Sequence, residues 1–302
     1  MKLAVLIYGE MRNVNECNKS LKLFLKNTDY DIFISCWDNF SLGKEIKTSK
    51  LYGGNNTNKE NINVELIKRI YSPVFIKMYN SESENILRYF KNLNNIDTRY
   101  YNYFSQWYIK FQGYLNYQKY CIQNKKKYNY ILLVRSDMYF LGNNLNLLDY
   151  DCSKLYHTFK NNDFMSNNEE KKALDIKRSN YEYIFNCFKS LLDKEIDLTS
   201  LDNYELINFN IYKNINSNCD IFYQHCDQIY LSKPENIEYI CYSFVSCVLY
   251  NNFFQVEDEK ANCFADITNK NKRIKFEIFN SNIFNIKKDF FPDDIKFKIY
   301  RL

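Results

Sequence analysis

Apolar residues run almost without alternation through Leu3-Ala4-Val5-Leu6-Ile7-Tyr8, Tyr30-Asp31-Ile32-Phe33-Ile34-Ser35-Cys36-Trp37-Asp38 and Tyr130-Ile131-Leu132-Leu133-Val134. Continuous apolar character of this kind suits strands buried on both faces of a parallel sheet, where helices cover either side. Between the first two runs, Leu21, Leu23, Phe24 and Leu25 fit a helix lying on that sheet, and strand, helix, strand makes a right-handed parallel unit. The polar stretch 41–63 carries Gly43, Gly53 and Gly54 without a period and reads as a long surface loop. Val64 to Ile70 then predicts a helix that Ser72-Pro73 stops, followed by a third strand over Val74 to Tyr79.

From Ser105 the period becomes helical, with Trp107, Phe111, Tyr114, Leu115 and Ile122 on one stripe, Ser105 as N-cap and Lys125-Lys126-Lys127 at the carboxyl end. A helix of about five turns fits this stretch, and Phe111 and Tyr114 are expected in the core. The chain then enters the Tyr130 strand directly. Further along, Met138 to Leu141 reads as a short edge segment, Gly142-Asn143-Asn144 as a turn, and Lys154 to Phe159 as a strand. Residues 160–180 read as a solvated insert or lid and Tyr181 to Leu192 as a helix. Cys219 to Tyr230 resembles a strand running into a helix start, with Ser232 and Glu235 as a capping box, Pro234 in the first turn, and a helix from Glu238 to Tyr250. The tail from Arg273 mixes basic residues with short β-like runs such as Ile274 to Phe279. Neither a repeat nor a linker interrupts the pattern, so the expected architecture is a single α/β domain over 1–302 with a mostly parallel, Rossmann-like central sheet flanked by helices.

Composition adjusts this picture only modestly. With 302 residues, 46% of them hydrophobic, the chain has ample material for one continuous core. A net charge of +5 is too slight an excess to indicate a nucleic-acid footprint, while an anionic small substrate remains compatible. The ten cysteines are scattered with no C-x-x-C, and only two histidines accompany them, which argues against structural zinc and for buried free thiols. The apolar start at Leu3 is too short for a signal segment, and the stretch from Cys241 to Phe254 is broken by Ser243, Ser246, Asn251 and Asn252. The sequence therefore predicts a cytoplasmic protein without a transmembrane segment.

Chemistry concentrates where the buried strands end. The Tyr130 run stops at Arg135-Ser136-Asp137, and the carboxyl edge of an open α/β sheet is where ligands bind. A carboxylate there can hold a divalent ion and an arginine can fork onto phosphate oxygens; equally, the two can close the strand end as an ion pair. The first strand leads to Gly9-Glu10-Met11-Arg12, whose glycine lets the backbone pass close to a ligand. No G-x-G-x-x-G, P-loop or G-x-S-x-G elbow occurs.

Taken in order, Leu6-Ile7-Tyr8-Gly9-Glu10-Met11-Arg12, Asp31 to Asp38, Ser105-Gln106-Trp107-Tyr108, Tyr130 to Met138 and Asp227-Gln228-Ile229-Tyr230 resemble GT-A-type glycosyltransferases of bacterial and viral polysaccharide biosynthesis, including the WavE-like lipopolysaccharide group. The resemblance implies a GT-A-like fold, with 1–145 as the nucleotide-sugar-binding half and 146–302 as the acceptor half with a C-terminal extension. It implies a nucleotide-diphosphate sugar donor cradled by Tyr8, Gly9 and Arg12, with Trp37 and Asp38 at base or ribose and Ser105, Gln106 and Tyr108 beneath the sugar. Arg135-Ser136-Asp137 stands where the family has D-x-D, so Asp137 is the implied ligand of Mn2+ or Mg2+, and Arg135, replacing the first carboxylate, is an implied catalytic residue and donor contact: either water and the diphosphate complete the shell around Asp137, or Arg135 partly substitutes for the cation. Asp227 is the candidate base; an N-cap or a hydrogen bond to the acceptor sugar are its other readings. The acceptor implied is a glycan or glycolipid, the latter compatible with peripheral membrane association. A non-catalytic carbohydrate-binding protein on the same scaffold, or a methyltransferase on another nucleotide-binding sheet, are the alternatives.

Overall fold

A computed structural model describes residues 1–38, 63–80, 98–157, 229–241, 287–291, 295 and 297–299, with the backbone alone at 98–104, 157, 239, 287–290 and 297–299. The elements are β1 (Lys2–Glu10), α1 (Val14–Phe24), β2 (Asp29–Trp37), α2 (Val64–Tyr71), β3 (Phe75–Tyr79), α3 (Thr98–Asn124), β4 (Tyr130–Arg135), β5 (Met138–Phe140), β6 (Lys154–His157), β7 (Ile229–Ser232), α4 (Pro234–Cys241), β8 (Lys287–Phe290) and β9 (Phe297–Ile299).

The fold is α/β, built on a mixed, mostly parallel sheet in the order β3-β2-β1-β4-β7-β6-β8, with β5 and β9 forming a separate antiparallel pair. β3, β2, β1 and β4 run parallel, β7 runs against both β4 and β6, and β8 is parallel to β6. The three apolar runs of the sequence are the adjacent strands β2, β1 and β4, because only strands covered on both faces bury successive side chains. Leu3, Val5, Ile7, Ile32, Ile34, Leu132 and Val134 point to the face covered by α1, where Leu21 and Phe24 meet them. Alternate residues of the same strands point to α3. There Phe33 packs edge-on to Tyr117 at 5.3 Å and to Tyr128 at 5.8 Å.

α3 lies on β2 with Gly113 over Ser35, whose Oγ is 3.5 Å from where a Cβ would stand, an ordinary contact distance. Asn116 secures the contact, its Nδ2 donating to Ser35 Oγ at 3.2 Å and to the Tyr79 hydroxyl at 2.7 Å. A buried amide with its donors satisfied holds the helix in register on the sheet.

Several local expectations are corrected. α3 begins at Thr98 rather than at Ser105, and Ser105 is a fully buried interior residue, not an N-cap. The helix takes in residues 98–104 upstream of the serine, a stretch without Gly or Pro to stop it. Ser232 closes β7 instead of capping α4; its hydroxyl donates to the Lys154 carbonyl at 2.6 Å and receives Asn236 Nδ2 at 2.9 Å. The first turn of α4 bonds back to the Lys233 carbonyl, with Pro234 at its first position as expected. Leu23 and Ile122, expected on apolar stripes, are exposed. Phe111 and Tyr114 are buried as expected. Cys17, Cys36 and Cys241 are buried free thiols, whereas Cys121 is half-buried and Cys152 exposed. The expected loop over 41–62, the insert at 160–180, the helix at 181–192, the segment 219–228, the helix beyond Cys241 and the β-like run 274–279 lie outside the described residues.

Candidate active site

β1 and β4 are adjacent and parallel, with Tyr8 in register with Arg135, so the loops leaving their carboxyl ends meet. The meeting point is fastened by Ser136: its N–H donates to the Tyr8 carbonyl at 2.9 Å and its hydroxyl to the Glu10 carbonyl at 2.5 Å. Gly9 makes this approach possible. Its φ of +111° is a conformation that side-chain-bearing residues rarely adopt, and an added Cβ would come within 3.4 Å of Ser136 Oγ.

Each loop carries an arginine paired with a carboxylate two residues away. Arg135 Nε and Nη2 donate to Asp137 Oδ1 and Oδ2 at 2.9 and 2.7 Å, a two-pronged pair whose side chains are 13% and 4% exposed. Arg12 Nε donates to Glu10 Oε2 at 3.1 Å and Nη2 bonds the same oxygen, here with both side chains more than a third open to solvent. The sequence pointed to Arg12, Arg135 and Asp137 but passed over Glu10 as a partner, although the E-x-R spacing mirrors R-x-D.

A third cation underlies this edge. Lys110 is 1% exposed, with its Nζ 5.1 Å from the centre of the Tyr8 ring and 5.7 Å from that of Tyr230. Both rings offer their negative faces to the ammonium. The signal was a lysine inside the aromatic stripe, one helical turn from Trp107 and Tyr114.

The remaining expected donor residues fall into two groups. Tyr8, Trp37, Ser105 and Tyr108 are all buried, and the Trp37 ring is stacked on Tyr108 at 6.0 Å and set edge-on to Tyr79 at 6.3 Å. In this conformation Trp37 is 3% exposed and lies among these rings at the end of β2. Asp38, one residue on, is exposed, and its N–H is held by the Tyr79 carbonyl at 3.0 Å. Gln106 Oε1 is buried with no hydrogen-bond partner among the described residues, an acceptor that a ligand hydroxyl or a water would satisfy. Asp227 lies outside the described residues. The strand that follows it starts at Ile229, which pairs with Val134, so the amino end of β7 opens on the same sheet edge as Arg135.

The donor set does not suit a divalent ion as it stands. Both oxygens of Asp137 are engaged by a guanidinium, and among the described residues no three of His, Cys, Asp and Glu gather to hold a metal. Mg2+ and Mn2+ favour several oxygen ligands, and Asp137 could give one only from a carboxylate whose charge Arg135 already neutralises. The neighbouring Cys17 thiol is also ill-suited as a ligand or nucleophile: burial, and then the Asp137 charge, push it up to about 12.

No protein-family model matches the chain, and no curated protein matches it. Among the described residues, no helix is long and apolar enough to cross a membrane.

Proposed function

We infer that the chain is a GT-A-like glycosyltransferase that moves a sugar from a nucleotide-diphosphate donor to a glycan or glycolipid acceptor, working in the cytoplasm or at a membrane surface. The observation that carries this reading is the convergence of Gly9, Arg12 and Arg135 at one sheet edge, fastened through Ser136. A leaving nucleoside diphosphate develops negative charge, and guanidinium groups set in advance at that position stabilise it without reorganising. Gly9 lets backbone approach the phosphates, and the exposed Asp38 at the next strand end offers an acceptor to a ribose hydroxyl. Asp227 serves as the base that takes the acceptor proton if the transfer inverts configuration.

The rival reading of a sugar-binding protein drew on surface aromatics. The same reading also draws on the incomplete D-x-D; as for the aromatics, the large exposed hydrophobics among the described residues are Met1, Leu23, Ile122, Leu141 and Leu148, none of them aromatic. Isothermal titration of the chain with uridine and guanosine diphosphates, followed by an assay of sugar release from the matching nucleotide sugars, tests the proposal. Saturable binding together with transfer or slow donor hydrolysis is expected; absence of binding by any nucleoside diphosphate overturns it.

A further inference from the structure

Two arginines at neighbouring strand ends, each held by a carboxylate two residues away, form a repeated device rather than a broken metal site. In both pairs the guanidinium bonds through its Nε and Nη2 side. A guanidinium has five N–H donors in a fixed fork. Arg12 therefore spends two of them on Glu10 and keeps a second edge, at Nη1 and Nη2, for which the described residues give no partner; its side chain is 42% exposed. Arg135 is clamped more deeply, at 13% exposure, with the same side of its fork turned to Asp137. A carboxylate in this position fixes the rotamer of a long side chain in advance, which lowers the ordering cost when an anion binds.

We propose that the diphosphate of the donor is held at this edge without a divalent ion, by Arg12 and Arg135, and that Glu10 and Asp137 are positioning residues that aim the two guanidinium groups. The proposal rests on the glycosyltransferase reading for the nature of the ligand; the two aimed guanidinium groups are its own observation. It assigns Asp137 a role opposite to that implied by the family pattern: its charge is directed at Arg135 and not at a metal. It also gives Glu10 a function, since an uncommitted Arg12 would sample many rotamers in solvent.

The test is calorimetric titration of the full chain with inorganic pyrophosphate and with uridine and guanosine diphosphates, in chelator and again in excess manganese. The expected result is one affinity for a given ligand under both conditions, weakened roughly 10- to 150-fold by Arg12→Ala, the range for a charge-assisted hydrogen bond. Glu10→Gln weakens binding several-fold with an unchanged melting temperature, and Glu10→Asp restores part of the loss. Binding that requires manganese and is lost in Asp137→Asn overturns the proposal while leaving the glycosyltransferase reading intact. Pyrophosphate binding in chelator with no added affinity from any nucleoside upholds the anion site and overturns the reading of the donor. Tighter binding in Glu10→Gln overturns the positioning role, since it would show Glu10 to be a competitor for Arg12.

Discussion

The Lys110 ammonium lies 5.1 Å from the centre of the Tyr8 ring, buried beneath the residue that pairs in register with Arg135. A cation placed there acts on an anion at the sheet edge through space. At an effective dielectric constant of about 20, unit charges roughly 10 Å apart interact by about 1–2 kcal/mol. Lys110→Met keeps most of the side-chain volume and removes the charge. We expect it to weaken diphosphate binding about tenfold, read by titration calorimetry, while chemical denaturation shows the fold retained. Unchanged affinity would reduce Lys110 to a packing element of the α3 stripe.

Gly9→Ala tests the closure of the two loops. At φ +111° an alanine is strained whatever the space, while its Cβ would only touch Ser136 Oγ. A loss of about 1–3 kcal/mol is expected, the cost of holding a residue in a sparsely populated backbone region. Urea denaturation measures it. Because the strain falls on the loop that carries Arg12, donor affinity should fall with stability; a variant as stable as the parent would mean that the loop rearranges freely.

At the opposite, amino-terminal edge, Asp31 gathers three donors: Tyr128 hydroxyl at 2.5 Å, and the Lys2 and Lys126 ammonium groups each at 3.1 Å. Burial works against the charge of Asp31, but the hydrogen bonds from Tyr128, Lys2 and Lys126 outweigh it and hold the carboxyl below its ordinary range. A carboxylate with a depressed folded-state pKa stabilises the fold above its unfolded value, near 3.9, and that contribution is lost as pH falls through the lower folded value. Asp31→Asn should therefore lower stability near neutral pH by about 1–2 kcal/mol, allowing for partial exposure. The difference from the parent should shrink toward zero as the pH drops below about 4. Denaturation midpoints across pH check this; a gap that persists in acid would point to shape rather than charge.

The central sheet was legible because β1, β2 and β4 are buried on both faces, and burial on both faces writes itself as an unbroken apolar run. The same logic fails for β7. Ile229-Tyr230-Leu231-Ser232 is also fully buried, yet four residues set no direction, and its antiparallel placement between β4 and β6 depends on pairings far apart in sequence. The start of α3 was misplaced because a serine before a periodic stretch fits a cap, and only tertiary burial shows that Ser105 is interior. At the site, Arg12, Arg135 and Asp137 could be found from strand-end chemistry. Their pairing was open, because an R-x-D at a strand end fits either an ion pair or a metal ligand. Glu10 and Lys110 acquire meaning only once the register of β1 against β4 and the seat of α3 are known.

The Arg135 and Asp137 pair separates folding from function. Removing one partner of a buried ion pair leaves the other charge uncompensated, and about 3–5 kcal/mol is the usual cost, whereas replacing both by apolar groups of similar volume is often neutral. Arg135→Met and Asp137→Leu should each destabilise by that order, and the double variant should recover most of the loss, giving a large coupling in the cycle. Stability measured by urea titration and diphosphate affinity measured on the same four proteins then divide the roles. The double variant should be stable yet bind diphosphate poorly, because the guanidinium is gone. A double variant that binds as tightly as the parent would limit this pair to closing the strand end, and the anion would have to be sought elsewhere along the carboxyl edge.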